Sequence, residues 1–194
     1  MEEKKGSDRM QRILCLGDSN TYGYDPRSFF GSRYPAEVRW TGRLANEERE
    51  LVNLGQNGLC IYRETAFPML HKLLAGKGPA DRILVMLGTN DLLQGAEPEQ
   101  CVARMEMLLN FLKQDPGAAL LLIAPPPMEP GAWVESPELI ARSRTLTTLY
   151  RQLAERLDIP FADAGEWGVE LCFDGVHFSP EGHVTFAARL EKLL

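Results

Sequence analysis

Residues 82–88 read RILVMLG and residues 118–124 read AALLLIA. Neither run alternates apolar with polar residues. A strand with one wet face shows that alternation, and a strand covered on both faces does not; sheets covered on both faces are mainly parallel. Working outward, RILCLG (12–17), LVNLG (51–55) and IPFADA (159–164) are three further strand candidates. Segments of helical period lie between them. In 98–114, Cys101, Val102, Met105, Leu108, Leu109 and Leu112 share one face, and in 137–157 Leu146, Leu149, Tyr150, Leu153 and Leu157 do the same. Ser179-Pro180 reads as an N-cap followed by proline at the first helical position, opening a last helix with Phe186, Ala187, Leu190 and Leu194 on its inner stripe. Five strands alternating with helices predict an α/β fold, a three-layer sandwich around a parallel sheet. In such folds functional groups gather at the carboxyl ends of the strands.

The 194 residues suit one domain, expected over 11–194 after a polar leader at 1–10. Apolar residues make up 44% and charged residues 25%, a globular composition that can fill a core. The net charge of −6 argues against nucleic acid and anionic membranes, since both demand basic patches. The start, MEEKKGSDRM, has no apolar core of a signal peptide, and no run approaches a membrane span, so a cytoplasmic protein is expected. Cys15, Cys60, Cys101 and Cys172 are scattered and read as buried or partly buried thiols. APPPMEPG (124–131) reads as a rigid loop on the rim of the fourth strand.

The residues after each strand carry the chemistry. The first strand runs into Gly17-Asp18-Ser19-Asn20, the second into Gly55-Gln56-Asn57-Gly58, and the third into Gly88-Thr89-Asn90-Asp91. Asp174-Gly175-Val176-His177 precedes the last helix. A serine hydroxyl is a poor nucleophile until a base takes its proton. Histidine has the pKa for that task, and a carboxylate must hold its tautomer. Asp174 and His177 sit three residues apart in one turn, with Gly175 permitting the bend, and Ser19 stands at the mouth of the first strand. Gly58 can offer a bare backbone N–H and Asn90 a side-chain amide to a developing oxyanion. Each residue also has a structural reading: Ser19 as a cap, Asn90 and Asp91 as turn formers, His183 as a packed core histidine. A metal site built from Asp174, His177 and His183 lacks any established ligand spacing.

GDSN, GxxG, GTND and DGVH occurring together, in this order, resemble the SGNH (GDSL) hydrolase family over roughly residues 12–194. The resemblance implies a flavodoxin-like sheet of strand order 2-1-3-4-5 and a triad of Ser19, Asp174 and His177. It implies an oxyanion hole made by the N–H of Ser19, the N–H of Gly58 and the side chain of Asn90, with Gly55 serving the turn. No metal or organic cofactor is implied. GDSNTYGY (17–24) with VRWTG (38–42) is similar to a subgroup of bacterial arylesterases and acyltransferases. That likeness makes Tyr22, Tyr24 and Trp40 the candidates for shaping the acyl and alcohol pockets, and it implies an option of homo-oligomers. Gly58-Leu59-Cys60 departs from the family pattern, which often places polar residues after that glycine.

The expected activity is hydrolysis of short carboxylic esters, aryl or acetyl esters including acetylated carbohydrates, with acyl transfer to alcohols as a side path. The competing readings are an acyl-CoA thioesterase or lysophospholipase, and a catalytically silent carbohydrate- or protein-binding domain on the same fold. A flavin or nucleotide module finds no support, because neither a G-x-G-x-x-G nor a P-loop motif occurs.

Overall fold

A computed structural model of the protein describes residues 9–28, 30–114 and 117–194. Most of the expected leader, residues 1–8, lies outside the described residues. Five strands, β1 (Gln11–Gly17), β2 (Arg49–Asn53), β3 (Arg82–Met86), β4 (Ala119–Ala124) and β5 (Phe161–Asp163), form one sheet in the order β2-β1-β3-β4-β5. Every pairing is parallel, with Gly17 opposite Met86 and Leu122 opposite Phe161. The sheet is the five-stranded parallel one expected. Its order reverses at β1, whose neighbours β2 and β3 lie on opposite sides. Chain leaving β1 and chain leaving β3 therefore diverge at that end of the sheet, which is where parallel folds open a crevice.

Successive side chains of a strand point to opposite faces, so each central strand feeds two cores. Leu14 and Leu16 of β1 join Ile83 and Val85 of β3 in one cluster; Ile13 and Cys15 join Leu84 and Met86 in the other. The first is covered by α5 (Pro98–Leu112) and α6 (Pro137–Leu157), through Met105, Leu108, Leu109, Leu146, Tyr150 and Leu153. The second is covered by α2 (Trp40–Leu44) and α7 (Pro180–Leu190), through Trp40, Leu44, Phe186 and Leu190. Burying one such side chain contributes about 1.5–3 kcal/mol, so the two clusters hold the sheet from both sides. No helix among the described residues is long and apolar enough to cross a membrane.

The last helix begins where its cap predicted, and α6 opens on a serine in the same way. Ser179 accepts the N–H of Gly182 at 2.9 Å and opens α7, and Ser136 accepts the N–H of Glu138 at 3.2 Å and opens α6. The remaining helices, α1 (Ser19–Tyr22), α2, α3 (Phe67–Ala75) and α4 (Thr89–Leu93), were not read from the sequence. Three of them are one turn or little more, too short to display a period, and α3 buries only Leu70. Leu194 falls beyond α7, just past a short 3₁₀ turn, and still packs against the second cluster.

His183 sits in that second cluster, fully buried between the rings of Tyr34 and Phe178, with the Trp40 N–H donating to its Nδ1 at 3.4 Å. This is the packed histidine expected. Burial, and behind it the positive charge of Arg39, hold its pKa down at about 3. An unfolded histidine takes up its proton near pH 6.5. Between those two values the unfolded chain binds a proton that the folded chain refuses, so stability falls as pH drops through that window and the effect is absent above it. His183→Leu should therefore lose less Tm than the wild type between pH 7 and pH 4.5. Equal losses in a thermal melt series would detach His183 from acid sensitivity.

Candidate active site

Asp18 accepts the N–H of Asn20 at 2.9 Å and caps the single turn α1 directly after β1. That sharp exit sets Ser19 at the carboxyl end of the central strand, nearly buried at 5% exposure. Burial pushes the Asp18 carboxyl up to about 6, against the hydrogen bond from Asn20 and the neighbouring His177.

Between β5 and α7 the chain makes a tight turn. The Oδ1 atom of Asp174 accepts the N–H groups of Val176 and His177, both at 2.9 Å, and Gly175 takes the left-handed conformation at φ +77°. A side chain at residue 175 would strike the carbonyl of Glu129, so the turn requires glycine twice over. With Oδ1 held, Oδ2 of Asp174 lies 2.7 Å from His177 Nδ1, and His177 Nε2 lies 2.9 Å from Ser19 Oγ. An ionised carboxylate only accepts, so Nδ1 carries the hydrogen and Nε2 faces the serine hydroxyl with its lone pair. Burial alone would raise the Asp174 pKa. The hydrogen bonds from the His177 ring and from the two backbone N–H groups outweigh it and hold the carboxyl below its usual range. The three side chains thus form one buried hydrogen-bonded line.

The loop after β4 braces this turn. Glu129 N–H donates to the Gly175 carbonyl at 3.0 Å, Ala132 N–H to Phe173 at 3.0 Å, and Trp133 N–H to Asp174 at 3.1 Å. Trp133 then meets the His177 ring edge-on at 5.0 Å while remaining 53% exposed. Sequence reading marked this proline-rich stretch as a rim but passed over the tryptophan two residues beyond it. An aromatic at the tip of a stiff strand-end loop was the available signal. Tyr24 flanks the same imidazole at 4.7 Å.

The two other predicted aromatics make no ring contact with His177 among the described residues. Tyr22 is engaged by Arg33, whose guanidinium lies 4.4 Å from the ring centre. Trp40 is a correction to the expected pocket residue: at 1% exposure it belongs to the core, its ring packed on Phe186 and its indole N–H donating to the Asn20 carbonyl at 3.1 Å. A large ring at the start of a helix that covers the sheet gains more from that burial than from facing a solvated cleft.

The loop after β2 runs beside the end of β1, with Gln56 N–H donating to the Gly17 carbonyl at 3.1 Å. A Cβ on Gly55 would stand 2.1 Å from the Tyr22 nitrogen, so only glycine lets this loop approach α1. Gly58 comes next at φ +73°, exposed, with its N–H unpartnered among the described residues. Asn90 donates one amide hydrogen to the Leu59 carbonyl at 3.1 Å and keeps its second hydrogen without a protein partner among the described residues. Asp91, fully buried, receives Ile61 N–H at 2.8 Å and Arg104 at 2.7 Å, and so ties the same loop to α5. It is an anchor rather than a site residue.

Residues 15–184 match the GDSL-like lipase/acylhydrolase family. Among solved structures the chain is similar to Est24, a carbohydrate acetylesterase from Sinorhizobium meliloti, at 26% identity and TM-score 0.81, covering 95% of this chain and 98% of that one. It is similar to an aryl esterase of M. smegmatis at 28% identity and TM-score 0.80, again covering 95% and 98%. No curated protein sequence matches.

Asp174→Asn isolates the tautomer. The new amide oxygen would keep accepting from Val176 and His177, leaving its NH₂ against His177 Nδ1 and forcing the ring hydrogen onto Nε2, where it opposes Ser19. The expected result is a loss in kcat of about 10⁴ with an unchanged circular dichroism spectrum. Activity within tenfold of wild type on p-nitrophenyl acetate would contradict the proton arrangement described.

Proposed function

The chain belongs to the GDSL-like lipase/acylhydrolase family and is a carboxylic ester hydrolase, and on that premise we propose that it cleaves short-chain carboxylic esters through an acyl-enzyme on Ser19. The observation carrying this reading is the continuous line from Ser19 Oγ to His177 at 2.9 Å and from His177 to Asp174 at 2.7 Å. Ser19 attacks the ester carbonyl as His177 Nε2 takes its proton. Asp174 stabilises the imidazolium so formed. The Ser19 and Gly58 N–H groups and the free hydrogen of Asn90 receive the oxyanion. The alcohol leaves with the proton from His177, and water repeats the cycle on the acyl group.

Aryl and acetyl esters, acetylated carbohydrates among them, are the substrates this reading favours. The support is the tight setting of the triad, with Ser19 and His177 at 5% and 3% exposure and the Tyr24 and Trp133 rings closing on the imidazole. An apolar cavity of about 560 Å³ does exist, but Leu14, Pro79, Ala80 and Ile83 line it at the amino ends of β1 and β3, the opposite end of the strands from Ser19. The apolar faces of the two rings beside the imidazole also favour acyl transfer when an alcohol is present at high concentration.

A fluorophosphonate probe should label the wild type and not Ser19→Ala. Across acetyl, butyryl and octanoyl p-nitrophenyl esters, kcat/KM should fall with length; a rise toward octanoyl would favour the thioesterase or lysophospholipase class. Asn90→Ala should lose about 10²–10³ in kcat, the usual worth of one oxyanion donor, and a near-wild-type rate would remove Asn90 from the hole.

A further inference from the structure

We propose that Asn20 is a positioning residue for the general base, pinning His177 from both sides at once; the inference rests on the triad reading above. Asn20 comes directly after the nucleophile and is 4% exposed. Its Nδ2 donates to the Val176 carbonyl at 3.0 Å, and its Oδ1 accepts the Phe178 N–H at 2.9 Å. Those two backbone groups belong to the residues immediately before and after His177. The carboxamide therefore acts as an extra peptide unit laid against the histidine, satisfying a carbonyl and an N–H as a neighbouring strand would. The orientation of the amide is unambiguous, because a flipped one would oppose nitrogen to N–H and oxygen to carbonyl.

The rest of Asn20 is fixed with equal completeness. Its N–H is held by Asp18 at 2.9 Å and its carbonyl by the Trp40 indole at 3.1 Å. The nucleophile turn and the base turn, 158 residues apart, are consequently tied by two routes: the Ser19–His177 bond that chemistry must break and remake, and the Asn20 bridge that chemistry does not touch. When His177 takes the proton and later passes it to the leaving group, the bridge keeps its ring at the same height over Ser19. The family takes its name from a G-D-S-L sequence, and this chain carries Asn where that sequence has Leu. A leucine there has neither a donor for Val176 nor an acceptor for Phe178.

Two variants test this, Asn20→Leu and the smaller Asn20→Ala, assayed beside Ser19→Ala. Misplacement of a reacting group by about 1 Å costs on the order of 10²-fold, so each Asn20 variant should lose about 10–100-fold in kcat with KM within twofold. The downfield proton resonance of the His177 Nδ1–H facing Asp174 should broaden or vanish in both variants, a change that loss of stability elsewhere in the fold does not produce. Either folded variant with kcat within twofold of wild type and an unchanged His177 resonance overturns the proposal. So does failure of both to fold, since a tether confined to one loop leaves the sheet intact. Activity that persists in Ser19→Ala sinks the triad reading and this proposal with it. Activity abolished in Ser19→Ala but intact in Asn20→Leu sinks this proposal alone.

Discussion

A single hydrogen bond between chain positions 19 and 177, His177 Nε2 to Ser19 Oγ at 2.9 Å, sets what the rest of the molecule has to accomplish. Neither partner can find the other locally. Ser19 is aimed by the end of β1, and His177 by a turn after β5, at the other end of the strand order from β2. The sheet supplies the rigid frame, and its reversal at β1 sets the nucleophile at the switch point of the strand order. Both cores then serve the site indirectly. α7 packs Phe186 and Leu190 beneath the sheet, and the turn carrying His177 enters α7 through the Ser179 cap. A shift of α7 would be a shift of the base.

The central strands were legible because burial on both faces leaves a continuous apolar run, of strand length and closed by glycine or proline. The α6 boundaries, Pro137–Leu157, coincide with the periodic segment, since Ser136 caps one end and the apolar stripe runs to the other. Strand ends were less legible. β2 occupies Arg49–Asn53 rather than 51–55: pairing starts at the polar Arg49 opposite Gln11, and Asn53 takes the Gly55 N–H onto its side chain as the chain turns away. Apolarity extends past the point where pairing stops, so it cannot mark the end of a strand.

For the site, Ser19, His177 and Asp174 lie in hydrogen-bond reach of one another beyond the strand ends, while Trp40, expected in a pocket, lies in the core. Tyr22, Tyr24 and Trp40 look alike in sequence, and the structure separates them: Tyr24 beside His177, Tyr22 under Arg33, Trp40 in the core. Composition near a nucleophile does not say which way a ring faces. That depends on whether the segment is covered, and the short helix α2, invisible to periodicity, is what buries Trp40. Trp133 was missed for the complementary reason. Nothing local to residue 133 refers to His177; the link is made by backbone bonds from the β4 loop to Phe173, Asp174 and Gly175.

The polar groups around the crevice divide according to the cost of burial. Asp174 engages both oxygens, Asp91 both of its own, and Asn20 its side-chain oxygen, one amide hydrogen, and its backbone N–H and carbonyl. A buried polar atom left unpaired costs about 1–3 kcal/mol, so these positions are closed and rigid. Gly58 and Asn90 are more exposed, and among the described residues nothing accepts the Gly58 N–H or the second amide hydrogen of Asn90, so water can satisfy both at little cost. A preorganised oxyanion site needs donors fixed by bonds made elsewhere, as Asn90 is to Leu59 at 3.1 Å, with a hydrogen left over for an incoming charge. On the proposed reading, stability is concentrated in the groups that must not move, and the groups left open are the ones an incoming negative charge would meet.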